Sequence, residues 1–201
     1  MCGRYYFDPE RDDPLTFRLN QALKGIDPDY RGGEIFPGTM VPALIPAEDK
    51  QVQLALFYWG FPVHFSKRNL INARSETVLE KQTFQEPFET ARIAVPAHGY
   101  YEWDTNKQRH MFVLPGNELF FLAAIARIFE NRRELVLLTR EALGEANEVH
   151  HRMPLCLQES EIKPWLRERD WAVDYMNQTP NLLPENVEID KRADSSHNPL
   201  R

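Results

Sequence analysis

Four short segments of this 201-residue chain carry side chains that could do chemistry. In the first, Met1-Cys2-Gly3-Arg4, a cysteine directly follows Met1. Removal of Met1 would leave Cys2 with a free α-amine and a thiol on adjacent carbons. The amine (unperturbed pKa about 7.7–8.0) and the thiol (about 8.5) are both partly deprotonated near neutrality. Such a 1,2-aminothiol can add twice to one aldehyde and close a five-membered thiazolidine. With Met1 retained, the nitrogen is a peptide nitrogen and that route is closed. From its position alone, Cys2 reads rather as a small buried residue near a terminus.

The second segment is Asn69 to Thr77, in which Asn72 can both donate and accept hydrogen bonds and Arg74 presents a planar fork suited to phosphate. Ordinary loop and cap chemistry is the competing account. The third is Val95 to Trp103, where Glu102 sits among aromatic residues. Desolvation there would raise its pKa and suit it to general acid or base work; an exposed cross-strand ion pair is the alternative. His98, in the same run, reads as a solvated turn residue. The fourth is Val149 to Pro154, where one histidine could shuttle protons near neutral pH and Arg152 could hold an anion. Adjacent His150 and His151 should point in different directions on extended chain. With no HExxH or CxxC spacing, a shared metal is not expected.

The elements that must hold these segments read as a strand-rich domain. Asp12-Asp13-Pro14 starts a helix whose face is Leu15, Leu19, Ala22 and Leu23, closed at Lys24-Gly25. Thr39 to Pro46 and Gln51 to Trp59 read as a hairpin. Arg92 to Ala97, Tyr100 to Trp103, His110 to Leu114, Leu119 to Phe129 and Glu134 to Thr139 follow as short strands of a mainly antiparallel meander. Ser75 to Phe88 reads as a helix, with Thr77 and Glu80 spaced as a capping box and Pro87 ending it. Another helix follows Leu157, with Ser160 able to cap it and Pro164 awkwardly inside. The periodicity dissolves from about Val173, and the tail from Lys191 has little to bury.

Composition bounds the class. Hydrophobic residues make up 42% and charged residues 27%, enough apolar matter for one globular core. The longest apolar run, Leu119 to Ala126, is far short of the roughly 18 residues a membrane span needs, and the N-terminus lacks a secretory apolar stretch. A cytoplasmic protein without membrane contact is expected. Two cysteines, Cys2 and Cys156, exclude a disulfide framework. The net charge of −6 argues against a generic polyanion-binding surface. The excess is concentrated between Glu159 and Asp190, with eight acids against three bases, while Lys67, Arg68 and Arg74 leave a local cationic stretch. No sustained heptad or large apolar stripe asks for a partner subunit, so a monomer is expected.

Taken in order, these segments resemble the SRAP family, SOS-response-associated peptidase domains that recognise abasic sites in single-stranded DNA. The resemblance rests on Met1 to Arg4, Trp59-Gly60-Phe61-Pro62, Ile71 to Thr77, Pro96 to Trp103 and His150 to Pro154, and spans residues 1 to about 168. It implies a single α+β domain with a mainly antiparallel, barrel-like sheet and a few peripheral helices over residues 1–170, with 171–201 as a partly irregular C-terminal extension. It implies covalent capture of an abasic site through a thiazolidine on Cys2, with self-processing removal of Met1. In that scheme Asn72 positions the Cys2 terminus or the sugar, Glu102 moves protons, and His150 assists sugar ring opening. Arg4, Arg74 and Arg152 contact phosphates and Phe65 stacks on bases. No cofactor and no metal are implied.

Departures from the family pattern are His98 in the turn before Tyr100, His151 in place of a frequent Asp, and no evident Val-Asn segment after about Asp170. The acidic C-terminal region is expected to face away from DNA. Two other classes stay open from the residues: a cysteine hydrolase built on Cys2, His150 and Asn72, and a non-catalytic single-stranded nucleic-acid binding module using Phe65 and the arginines.

Overall fold

The run Phe120–Ile128 is buried at seven consecutive positions, and Arg92–Ala97 at all six, the signature of strands covered on both faces. By contrast Val52–Trp59 alternates, with one face left partly solvated. These strands belong to a computed structural model that describes residues 2–48, 51–63, 69–180 and 183–187. In chain order its elements are β1 (Tyr5–Phe7), α1 (Pro14–Ile26), β2 (Gly33–Ile35), β3 (Met40–Pro46), β4 (Val52–Trp59), β5 (Asn72–Arg74), α2 (Gln82–Thr90), β6 (Arg92–Ala97), β7 (Gly99–Trp103), β8 (Arg109–Val113), β9 (Phe120–Ile128), β10 (Arg133–Glu141), α3 (Ala146–Val149), β11 (Arg152–Pro154), β12 (Cys156–Leu157), α4 (Glu159–Arg167), α5 (Arg169–Asn177) and β13 (Glu185–Val187).

Two sheets result, in a mixed α+β fold. The larger follows the path β11-β10-β4-β3-β6-β9-β12, and a further β9–β10 pairing closes five of these strands into a ring. Most pairings are antiparallel, as the meander implied, but β10 runs parallel to both β4 and β5. The smaller sheet has the order β13-β8-β7-β1-β2. One residue, His98, separates β6 in the large sheet from β7 in the small one. Gly99 opens β7 because a Cβ there would lie 2.6 Å from Met111 Cε and 3.0 Å from Phe112 O. Gly60, at φ +138°, ends β4 and donates its N–H to Leu135 O at 2.8 Å.

The helices cover this frame. Asp13 caps α1 by accepting from the N–H groups of Leu15 and Thr16, worth about 1 kcal/mol. Trp165 of α4 is fully buried and donates Nε1–H to Ile93 O, while Arg92 donates back to Trp165 O at 2.8 Å. A fully buried side chain of this class contributes about 1.5–3 kcal/mol. No helix among the described residues is long and apolar enough to cross a membrane.

Several expected elements differ. Ser75–Thr77 is a single 3₁₀ turn, and the α-helix begins only at Gln82. Thr77 and Glu80 do not form a capping box there: the N–H of Glu80 goes to Thr77 O in a turn. Pro87 lies inside α2 rather than ending it. The cap of α4 is Gln158, paired reciprocally with Glu161, not Ser160. Beyond Asp170 the chain stays ordered through Asn177 as α5, whose Tyr175 donates its hydroxyl to Cys156 O at 2.8 Å. Further on, Glu185–Val187 extends the small sheet along β8.

Candidate active site

Cys2 lies just ahead of β1 and is fully buried, its Sγ 3.7 Å from Arg4 O. Burial, reinforced by the Glu102 carboxylate, pushes the thiol well above its usual range. Asn72, the first residue of β5, donates Nδ2–H to Cys2 O at 2.8 Å, tying the N-terminal segment to the large sheet. Asn72 Oδ1 is buried without a hydrogen-bond partner among the described residues. An orphan acceptor of this kind costs about 1–3 kcal/mol until something donates to it.

Glu102 sits on β7, two residues after Tyr100 and therefore on the same strand face. It is 4% exposed, and burial raises its carboxyl above the ordinary carboxylate range. The Tyr100 hydroxyl is buried with no hydrogen-bond partner among the described residues and is pushed up by burial, then by the charges of Cys156, Cys2 and Glu102. Cys2, Cys156, Tyr100 and Glu102 are thus buried groups within electrostatic reach of one another.

His150 caps the C-terminus of α3. Its Nδ1 lies 3.0 Å from the N–H of Arg152 and 3.1 Å from the same residue's carbonyl. The neutral ring accepts from the N–H, which places its proton on Nε2. Burial lowers the pKa of this imidazole. The expectation that the two histidines diverge is not met: their rings stack at 4.4 Å, with His150 at the C-cap of α3. His151 is exposed, and its pKa is lowered chiefly by the charge of His150. Among the described residues no group of three or more His, Cys, Asp or Glu could hold a metal ion.

The three arginines occupy different situations. Arg74, at the end of β5, is exposed, and its charge reaches His151. Arg4 pairs with Glu34 at 2.8 Å and lies over the rings of Phe36 (4.3 Å) and Trp103 (4.9 Å). Arg152 is 6% exposed and makes a bidentate pair with Glu76 at 2.6 and 2.9 Å, with a further bond to Thr139 O at 2.7 Å. The structure therefore gathers Cys2, Asn72, Glu102 and the His150–His151 pair with Arg74 beside them. Phe65 lies outside the described residues.

His98 is not a solvated turn residue. It is 1% exposed, stacked on Phe7, accepting at Nδ1 from the N–H of Asp8 and bonded at Nε2 to Thr16 Oγ1. Burial pulls its pKa down to about 4. Glu76, the carboxylate partner of Arg152, is signalled in the sequence only by its place two residues beyond Arg74 in the same motif.

The SRAP family model (SOS response associated peptidase) matches residues 1–191. The chain belongs to the SRAP family. It is 29% identical over 179 residues to the abasic site processing protein YedK of Escherichia coli K12, covering 84% of this chain and 80% of that protein. It is 28% identical over 201 residues to the abasic site processing protein YoaM of Bacillus subtilis, covering 92% and 86%. Among solved structures, a protein from Bacteroides thetaiotaomicron superposes with a TM-score of 0.73 at 17% identity, over 98% of this chain and 97% of that one. A phage-related protein from Bordetella bronchiseptica gives 0.67 at 23%, over 92% and 94%. At these identities the structural likeness speaks for the SRAP fold alone, and the family match locates Cys2, Asn72, Glu102 and His150 within the matched span.

Proposed function

We propose that this SRAP protein processes abasic sites by capturing them covalently in single-stranded DNA, with Cys2 as the nucleophile after hydrolytic removal of Met1 by self-processing. The observation that carries this reading is the placement of Cys2: its carbonyl is held by Asn72 at 2.8 Å, and the buried Glu102 lies within electrostatic reach of its thiol. The freed amine adds to C1′ of the open-chain sugar aldehyde, and loss of water from the carbinolamine gives a Schiff base. Glu102 donates the proton that lets hydroxide leave as water and then takes the thiol proton as sulfur bonds to C1′. The iminium nitrogen keeps its own proton as sulfur bonds, so the neutral thiazolidine forms, Glu102 ends protonated as it began, and no oxidant or reductant is needed.

His150 serves the step before. Opening the closed sugar moves a proton from the C1′ hydroxyl to the ring oxygen, and an imidazole anchored beside Arg152 suits that transfer. Arg74 contacts a flanking phosphate and Arg4 orders the adjacent rim, with Phe65 as a base-stacking element. The protein acts as a cytoplasmic monomer and needs no cofactor. A thiol raised by burial is poorly suited to thiolate attack on an amide, which speaks against the hydrolase reading.

The test is a denaturing gel of protein verified by intact mass to lack Met1, incubated with a single-stranded oligonucleotide bearing one abasic site. A shifted band that survives boiling, requires the lesion and disappears in Cys2→Ala is expected. Absence of any adduct from the processed protein overturns the covalent reading in favour of a binding module, and turnover of a peptide substrate lost in Cys2→Ser favours the hydrolase.

A further inference from the structure

We propose that Glu76 is a positioning residue for His150: its carboxylate clamps Arg152, and the Arg152 main chain holds the neutral imidazole in one orientation, with Nδ1 facing the Arg152 N–H. This rests on the covalent-capture reading only for its effect on rate; the clamp itself stands on geometry. Three elements converge on one ion pair. Glu76, in the 3₁₀ turn after β5, grips both Arg152 Nη atoms and also accepts the N–H of Glu141 from β10. Arg152 Nη2 donates in addition to Thr139 O on β10, which fixes the start of β11 against its neighbour strand. The first residue of β11 is Arg152 itself, and its N–H and C=O are the two groups that flank His150 Nδ1.

The physical consequence follows from burial. Arg152 is 6% exposed, and a guanidinium that loses its carboxylate in such a place must find water. The route out drags the first residue of β11, and His150 is two residues away along the same backbone. Glu76 bonds to neither Cys2 nor Glu102, so its influence runs through Arg152. This assigns the buried arginine of the His-x-Arg-Met-Pro motif to holding the imidazole, leaving phosphate contact to the exposed Arg74.

The experiment pairs a spectroscopic and a kinetic readout on the full chain. Two-bond proton–nitrogen NMR at a pH where His150 is neutral should show Nε2 protonated and Nδ1 bare in the native protein, and a mixed tautomer pattern in Glu76→Gln. With an abasic oligonucleotide, Glu76→Gln should form adduct about tenfold more slowly, Glu76→Asp should recover part of that rate, and affinity for an unreactive tetrahydrofuran-containing strand should not change. A native His150 protonated on Nδ1, or a Glu76→Gln rate equal to wild type, overturns the proposal. So does an affinity loss that matches the rate loss, which would make Arg152 a phosphate contact. If wild type forms no adduct, covalent capture fails while the NMR pattern still decides the clamp. If Glu76→Gln does not fold, the native tautomer and the Glu76→Asp variant decide it.

Discussion

Two buried polar clusters in this molecule are built on opposite terms. Around His98, where the chain passes from the large sheet to the small one, both ring nitrogens have partners, the ring stacks on Phe7, and the α1 cap residue Asp13 stands 3.7 Å off. Around Cys2, the hydroxyls of Tyr5 and Tyr100 and the Oδ1 of Asn72 are buried with no hydrogen-bond partner among the described residues. A satisfied network rigidifies a fold; an unsatisfied one costs stability and persists where something else is gained. The two clusters therefore separate architecture from chemistry, although both arise from the same short run, Pro96 to Trp103.

The largest expected effect tests that division directly. Glu102→Gln should slow adduct formation by about 10²–10⁴-fold, the usual worth of a positioned acid or base, and leave the melting temperature at neutral pH unchanged or higher. The sign of the second part follows from linkage. A carboxyl whose folded pKa is raised contributes stability fully present below its unfolded value, 4.5, and loses it as pH rises through the folded value, so ionised Glu102 is a burden at neutral pH. A melting temperature that falls by many degrees would move Glu102 into the architectural cluster.

Next in size is the acid response of the other cluster. His98 titrates near 6.5 when unfolded and is pulled down to about 4 when folded, so the folded form prefers the neutral ring. Its stabilising contribution is present above 6.5 and is lost as pH falls from 6.5 through 4, about 3 kcal/mol at the end of that window. Chemical denaturation between pH 7 and 4 should show this loss in wild type and much less of it in His98→Gln. An equal pH slope in both would mean that the junction does not depend on a neutral imidazole.

What the sequence made legible divides along the same line. β6 was bounded correctly from the run Arg92 to Ala97, and the hairpin β3–β4 and helix α1 within one residue or two, because each is written in local periodicity, a cap and a turn. The gathering of Cys2, Asn72, Glu102 and His150 came from the family resemblance, since partners 70 residues apart, such as Asn72 and Cys2, leave no mark in a local pattern. The misreadings share that cause. Ser75 to Phe88 reads as one helix because Thr77 and Glu80 mimic a box, while Glu76, just before Thr77, is taken by Arg152 across 76 residues of sequence. His98 looked solvated because a His-Gly pair reads as a turn; only the packing of α1 and Phe7 buries it. α5 was missed because its face, Ala172, Tyr175 and Met176, is short and is completed by contact with α4 and Cys156.

A smaller effect separates the two motif arginines. Arg74→Ala should weaken binding to an unreactive abasic strand uniformly across sequences and reduce the salt slope of log K by about 1, as loss of one phosphate contact does. Arg152→Ala should instead lower stability by about 1–3 kcal/mol, because it removes a buried guanidinium that bonds Thr139 O and the exposed carboxylate of Glu76. Salt titrations of both variants beside their denaturation curves distinguish the cases; a reduced salt slope in Arg152→Ala would return that side chain to the DNA.

The smallest effect bears on the cost of the unsatisfied cluster. Tyr100→Phe removes a buried hydroxyl that has no hydrogen-bond partner among the described residues and keeps the ring stacked on Phe112 at 5.0 Å. Removing an orphan polar atom without opening a cavity should gain about 1 kcal/mol, a rise of about 2–4 °C for a chain of this size. If the hydroxyl hydrogen-bonds to the bound sugar or to a water that Glu102 uses, the same variant slows adduct formation while it stabilises the fold. A Tyr100→Phe protein that melts lower than wild type would show that the hydroxyl is satisfied in solution, and the contrast between the two clusters would then rest on Asn72 and Tyr5.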